Sequence, residues 1–555
     1  MPAPLPSPRR RRLLPLLTLL VALVAGLAAC GGSATSGGEE TVPQQGGTLV
    51  MSYFTEPSSL DPAIAYNVID WNVEHAIFQG FFRYAAKPGE AGTRLEPCLA
   101  TEVPSVENGG ISPDGKVITI HLRRGVKFQP PVNREVTAAD FKYSFERMLR
   151  APLAPGTSFY MGVKGARAYY EGKADEVSGF EVVDPYTVRI TLTSPDLSFL
   201  QALTMEFCDV IPKEWVAKWG KKVNRHPLGT GPFMFDHWTP GQEVVLVRNP
   251  NYWEEGKPYV DRLVYQLSYN PSTAFLKLQN GEVDVLGDGV PIADLARVKA
   301  DPNWKDQVYS QNLIAISYVF MNVGMKPFDN LKVRQAVSWA IDRDKIVKLL
   351  GGEATPLWQV YPPGMPGHQE GKVYYGYDPQ KARRLLAEAG YPHGFKTVYY
   401  TDNVDPNPRL AQSIQADLRA VGIDAEIKTV NNNTFYQLQS TPGKCPMGSF
   451  GWWMDFPDPV DWIIPLFSKS SAVPGGMNSS FWWHPKLEKM LAEAQSLTDP
   501  EARLAKFVEM QDFIMSQAPY ATVYAPKQTT MCSKDTGGFY LHPVYQFDPA
   551  NYWKK

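Results

Sequence analysis

No Cys-x-x-Cys pair, no His-Glu-x-x-His and no two histidines at helical spacing occur in this sequence, whose eight histidines are scattered. Protein zinc sites draw on such ligand spacings, so neither a zinc centre nor any other metal or cofactor is expected. A Gly-x-Ser-x-Gly elbow and a Walker loop are missing too, and Gly448-Ser-Phe-Gly451 has the wrong spacing for a nucleophile turn. A secreted hydrolase therefore stays a distant alternative, because a serine enzyme needs its nucleophile on such a turn beside an imidazole base. Gly229-Thr-Gly-Pro232 is not a dinucleotide fingerprint, since Met234 stands where the third glycine would let helix pack on strand. Lys/Arg runs are confined to the extreme N-terminus and the net charge is −2, which argues against nucleic acid or a polybasic membrane surface.

Cysteine is scarce, at five residues, while aromatic residues make up 12% of the chain. Aromatics together with 48 Pro and 44 Gly suit a loop-rich binding protein whose walls need amphipathic surface, although they also serve as ordinary core. At 555 residues the chain exceeds one hydrophobic core, so two or more domains are expected. Arg9 to Arg12, the apolar run Leu13 to Leu27 and Leu27-Ala-Ala-Cys30 form a cationic region, a hydrophobic region and a small-residue cleavage site. This resembles a bacterial lipobox with Cys30 as the lipidated residue; the paired arginines equally suit twin-arginine export, and both routes end outside the cytoplasm. Residues 1–29 are thus read as a signal peptide and 30–47, rich in Gly and Ser, as a flexible tether. Cys98, Cys208, Cys445 and Cys532 remain, an even number in an oxidising compartment, so either disulfides or buried free thiols are open.

Local patterns predict mixed α/β order. Ile118, Ile120 and Leu122 alternate with polar residues as a half-buried strand after the turn Asp114-Gly115. Thr137 to Asp140 reads as a capping box opening a helix whose inner face is Phe141, Phe145, Met148 and Leu149. Thr187 to Leu192 and Glu243 to Val247 are strand-like. Asp329 or Asn330 caps a long helix reaching Leu350, with Val333, Val337, Ile341 and Ile346 inward, and Asp378-Pro379 and Asp499-Pro500 each place an N-cap before proline.

The stretch from Phe450 to Pro459, Phe-Gly-Trp-Trp-Met-Asp-Phe-Pro-Asp-Pro, carries the chemistry. Indole faces attract cations and a carboxylate beside them supplies full opposite charge, so Trp452, Trp453 and Asp455 suit an ammonium-bearing ligand. Equally, the tryptophans can be core residues on either face of a strand, with Asp455, Asp458 and Asp461 starting turns.

Several segments in order bear a specific resemblance. Ser59-Leu-Asp-Pro62, Leu95 to Glu102, Leu122-Arg-Arg-Gly-Val-Lys-Phe128, Val136 to Glu146, Leu228-Gly-Thr-Gly-Pro-Phe233, Arg248-Asn-Pro-Asn-Tyr-Trp253, Gly281-Glu-Val-Asp284 and Pro327 to Ala336 resemble the bacterial family 5 solute-binding proteins, the peptide and nickel receptors of ABC importers. One departure is Gln129 to Glu135, which replaces a short Asp-Gly loop. The resemblance implies an α/β fold: a two-lobed periplasmic-binding-protein clamshell of type II, with mixed sheets and an extra subdomain in the first lobe. Lobe I would span 48–312, lobe II 313–523, and 524–555 would return to lobe I. The chain crossings fall near Leu313 to Tyr318 and Tyr520 to Ala525, strand-like stretches suited to a hinge.

In peptide receptors of this family the aspartate of a Trp-x-x-Asp segment holds the peptide α-ammonium, and Trp452-Trp-Met-Asp455 matches it. Asp455 and Trp452 carry over; Trp453, Ser449, Tyr53 and Asn67 are further cleft candidates, and no arginine is recognised for a peptide carboxylate. The implied protein is not an enzyme. It is a monomeric, lipid-anchored receptor in the periplasm or at the cell surface that hands peptides or other small solutes to an ABC permease of the inner or cytoplasmic membrane. An oligosaccharide or a nickel chelate is the alternative cargo on the same scaffold.

Overall fold

The computed structural model describes residues 42–555 other than 153 and 498. Cys30 and the signal segment lie outside the described residues. Gln45 to Gly47, expected as tether, are already docked: the Gly46 N–H donates to the Tyr259 carbonyl at 2.8 Å and the Gln45 amide to Gly256 at 2.6 Å.

Two sheets organise the chain. The first has five strands in the order Val285–Leu286, Thr48–Ser52, Arg262–Gln266, Glu243–Arg248, Phe233–Thr239. Thr48–Ser52 runs parallel to both neighbours, which is why the β-rich residues of the first strand are almost all inside. The second is built around Tyr520–Met531, Ala315–Met321, Met447–Trp453, Phe395–Asp402 and Ile423–Val430, with Val308–Asn312 and Ala354–Pro356 also on Tyr520–Met531. Each sheet has its own apolar core under its helices.

A three-stranded antiparallel sheet, Val117–His121, Thr187–Thr191 and Phe180–Asp184, carries the helix Ala138–Arg150. The Thr137–Asp140 capping box is formed in both directions, and Phe141, Phe145, Met148 and Leu149 are all buried. Phe141 stacks on Phe81 with ring centroids 3.9 Å apart, and full burial of each such ring contributes about 1.5–3 kcal/mol. This unit's core runs on into the second sheet, where Phe159 meets Phe456 edge to face.

The stretch expected as one long helix is two, Leu331–Ala340 and Arg343–Leu349. Val333, Val337, Ile341 and Ile346 do face inward, but Ile341 is extended, and Asp342 caps the second helix by accepting from the Lys345 N–H at 3.0 Å. The break is stabilised by Arg343, whose buried guanidinium donates to the carbonyls of Ser338, Ile341, Leu357 and Thr522 and so satisfies groups a helix end leaves open. Asn330, Asp378 and Asp499 act as N-caps as expected. Gly229 and Gly231 form no ligand loop: they pass so close to Ile77 that a Cβ at either would lie 2.4–2.7 Å from its carbonyl group. In the replaced loop the Gln129 amide donates to the carbonyls of Ile77, Gly231 and Phe233, tying that loop to the same crossing.

Leu313 to Tyr318 and Tyr520 to Ala525 meet as antiparallel neighbours, Ser317 opposite Tyr524 and Tyr318 opposite Thr522, with one residue of Tyr520–Met531 bulged between. Further along, Cys532 bridges to Val285 of the first sheet. Cys98, Cys208, Cys445 and Cys532 are free and buried, so the disulfide alternative falls away. Among the described residues no helix is long and apolar enough to cross a membrane.

Candidate functional site

Met447–Trp453 is an inner strand of the second sheet, with Trp452 opposite Ile316 and Trp453 opposite Ala315. Alternation sends the two indoles to opposite sides: Trp452 is 5% exposed and Trp453 45% exposed. Gly451 is needed beneath them, because a Cβ there would sit 2.7 Å from the Trp453 ring and 3.1 Å from the Ile316 carbonyl. After the strand the Asp455 N–H donates to Asp461 Oδ2 at 2.9 Å. Asp461 lies in the first turn of the helix Val460–Phe467, where the helix dipole favours a carboxylate. The intervening Asp458 is held by both guanidinium nitrogens of Arg503, at 2.7 and 2.8 Å, in a pair with side chains only 8% and 10% exposed. These three aspartates do more than initiate turns.

From the first part of the chain comes Tyr66, whose hydroxyl donates to Asp455 Oδ2. Tyr66 precedes Asn67, the N-cap of the helix Val68–Ile77, and its ring packs on Trp71, Phe207 and Trp452. The residues around this contact enclose a cavity of about 150 Å³, lined on one side by Tyr66, Asn67, Trp71, His75, Glu206 and Tyr545 and on the other by Tyr436, Phe450, Trp452, Trp453 and Asp455. His75 stacks on Tyr545 at 3.9 Å, and burial pushes its pKa down, favouring the neutral ring. Among the described residues no lysine or arginine lines this cavity.

The acids respond to that environment. Burial pushes Asp455 up to about 7, opposed by hydrogen bonds from Tyr66 and Asp461, and raises Asp461 well above the carboxylate range with help from the charge of Asp455. Burial, opposed by the Glu206 backbone N–H and aided by the charge of Asp455, likewise pushes Glu206 up to about 8. A carboxyl whose folded pKa lies above its unfolded value stabilises the fold fully below the unfolded value, near 4, and loses that contribution as pH climbs through the folded one. The ligand-free protein should therefore lose melting temperature between about pH 5 and pH 8, and Asp455→Asn should flatten that slope. An unchanged slope in the variant would show that Asp455 is ionised throughout and that burial does not control it.

The structure separates the six cleft candidates. Asp455, Trp452, Trp453 and Asn67 line the cavity, with the Asn67 amide also donating to Ser58 Oγ at 3.0 Å. Tyr53 does not: it is buried against Tyr265 and Phe547 and faces a neighbouring cavity of about 420 Å³ with Asp288 and Lys527, which adjoins the first at Val68, Trp453 and Gln546. Ser449 points away, its hydroxyl bonded to that of Tyr399 on the adjacent strand. Tyr66, His75, Glu206 and Tyr545 were not legible as site residues. No spacing marks them, because they come from a helix entry, a short turn and the C-terminal segment that only folding brings together.

Against known proteins, residues 94–473 match the family model described as bacterial extracellular solute-binding proteins, family 5. The chain is 32% identical over 529 residues to heme-binding protein A of Haemophilus influenzae, covering 91% of this chain and 93% of that one. It is 30% identical over 511 residues to the glutathione-binding protein GsiB of Salmonella choleraesuis, covering 91% and 94%. Among solved structures, the periplasmic binding protein DppA of Helicobacter pylori, in complex with the peptide STSA, superposes with a TM-score of 0.81 at 28% identity, covering 92% of this chain and 99% of that one.

Proposed function

This chain belongs to the bacterial extracellular solute-binding proteins of family 5, the receptors of ABC importers, and on that footing we propose that it is a peptide receptor whose cargo is enclosed at Asp455. Its relatives are receptors and not enzymes, so the hydrolase alternative is set aside. The observation that carries the peptide reading is a half-buried carboxylate, flanked by Trp452 and Tyr66, in a cavity with no lysine or arginine on its walls among the described residues. A charge-assisted bond from an ammonium is what such a carboxylate lacks. Heme, named for one relative, brings two carboxylates and no ammonium for Asp455, whereas glutathione, named for another, carries an α-ammonium and falls within the peptide reading. An oligosaccharide would use the aromatic walls but leave the carboxylates unpaired.

Lobe I as 48–312, lobe II as 313–523 and the return as 524–555 suit the two-sheet arrangement, with the bulged pair at Ser317 and Tyr524 as the hinge. The Tyr66–Asp455 bond then joins the lobes, and cargo between them favours the closed form through contacts made only there. Adding dialanine to cargo-free protein should lower the radius of gyration in X-ray scattering and give saturable heat in calorimetry. Absence of both would sink the peptide reading.

The mature chain is held to the outer face of the membrane by acyl chains on Cys30 and hands its cargo to a permease there. The sequence support is the lipobox-like Leu27-Ala-Ala-Cys30 behind a cationic and an apolar region. Cys30→Ser should release the protein to the soluble fraction; a variant that still sediments with membranes in high salt is anchored some other way.

A further inference from the structure

Asp455 is not the only acid facing the cavity. Glu206, in the short turn Glu206–Cys208, is 5% exposed and lines the same cavity, yet no side chain among the described residues donates to its carboxylate or pairs with it, and its own backbone N–H is the donor it has. It also borders a smaller adjoining space of about 60 Å³, where Asp209, 6% exposed, adds a third acid. The cations at that end, Arg83 and Lys257, are both engaged by Glu254. His75, which lines the same cavity, has its pKa pushed down by burial, which disfavours a positive charge there. A carboxylate removed from water without a counter-charge is costly, and a fold that sets Asp455 and Glu206 around one cavity leaves room for two positive charges.

We propose that the solute carries two cationic centres a few methylenes apart, one held by Asp455 and the other by Glu206. This rests on the receptor reading above and narrows its cargo to peptides that begin with lysine or ornithine, or to free diamines, which share that chemistry. The rings of Tyr66, Trp452 and Tyr545 line the same cavity as the two acids and suit the role, since aromatic faces accept both methylenes and cations. Asp209 sets the polarity of the far end and makes a carboxylate-tipped side chain unwelcome there.

The test is calorimetric, on the full-length protein freed of cargo, with lysyl-alanine, norleucyl-alanine and 1,4-diaminobutane as probes, against wild type and Glu206→Gln. Lysyl-alanine should bind wild type about ten- to a hundred-fold more tightly than norleucyl-alanine, the range expected for one hydrogen bond to a charged group. Glu206→Gln should bring the two peptides within about two-fold of each other, the larger loss falling on lysyl-alanine. The variant should melt no lower than wild type, because it removes a buried acid without a counter-charge, and this separates lost recognition from lost fold. Equal binding of the two peptides to wild type, or a preference that survives in Glu206→Gln, overturns the inference and leaves the peptide receptor standing. Diaminobutane binding alone supports two cationic centres and overturns the peptide reading. If none of the three probes binds, both fall.

Discussion

Asp455→Ala weakens binding of a free-amine dipeptide by about 3–5 kcal/mol, because a peptide ammonium in the closed cavity is left without its counter-charge. Asp455 is half-buried on the cavity wall, and the side chains against its carboxylate, the Tyr66 hydroxyl and the Asp461 carboxyl, bring no positive charge. Alanine also strips Tyr66 of its acceptor, so Asp455→Asn is the cleaner variant: it keeps shape and an acceptor oxygen while removing charge, and its loss should be smaller. N-acetylating the dipeptide should reproduce the loss on wild type and add little on either variant, since the same pair is being broken. Calorimetry on the combinations of protein and peptide yields the coupling directly. Equal affinity of acetylated and free peptide for wild type would mean that Asp455 holds no ammonium, and the oligosaccharide or chelate cargo would move ahead. Cargo must also find Asp455 ionised, and its pKa, near 7 in the empty cavity, implies that affinity rises with pH until the carboxylate has lost its proton.

Arg503→Ala costs about 3–5 kcal/mol of stability, the penalty for leaving a buried charge alone. Asp458 accepts from both ends of the Arg503 guanidinium with almost no solvent at either side chain, and Arg503 lies over the Phe507 ring at 4.7 Å, so no water can take its place without opening the core. The same pair anchors the turn between Asp455 and the helix carrying Asp461, so the variant should also bind dipeptide more weakly. Urea unfolding measures the first effect. The double variant Asp458→Asn with Arg503→Met should regain much of the loss, since removing both charges costs far less than removing one. A single-variant loss below about 1 kcal/mol would show the pair to be hydrated and dispensable.

Features that depend on residues close in the chain were legible without the fold. The capping box at Thr137 and the caps at Asn330, Asp378 and Asp499 are pairings across two or three residues, and the alternation of Ile118 and Ile120 needs only a strand period. The break at Ile341 escaped because the apolar spacing runs through it; what stops the helix is Arg343 reaching carbonyls as distant as Thr522. Asp455 and Trp452 stood out because a family motif compresses their surroundings into four adjacent residues. Tyr66 and Glu206 have no such local mark.

The sequence by itself determined the mixed α/β character and the family and singled out Asp455, which lines the cavity, since each follows from short-range pattern or from an ordered series of motifs. Tertiary structure alone decided what Asp455 touches. Its partner Tyr66 lies 389 residues away, Glu206 reaches the same cavity from a third segment, and Ser449 and Tyr53 turn elsewhere. Contacts between segments hundreds of residues apart are set by how sheets and helices pack on one another, and no spacing along one chain encodes that geometry.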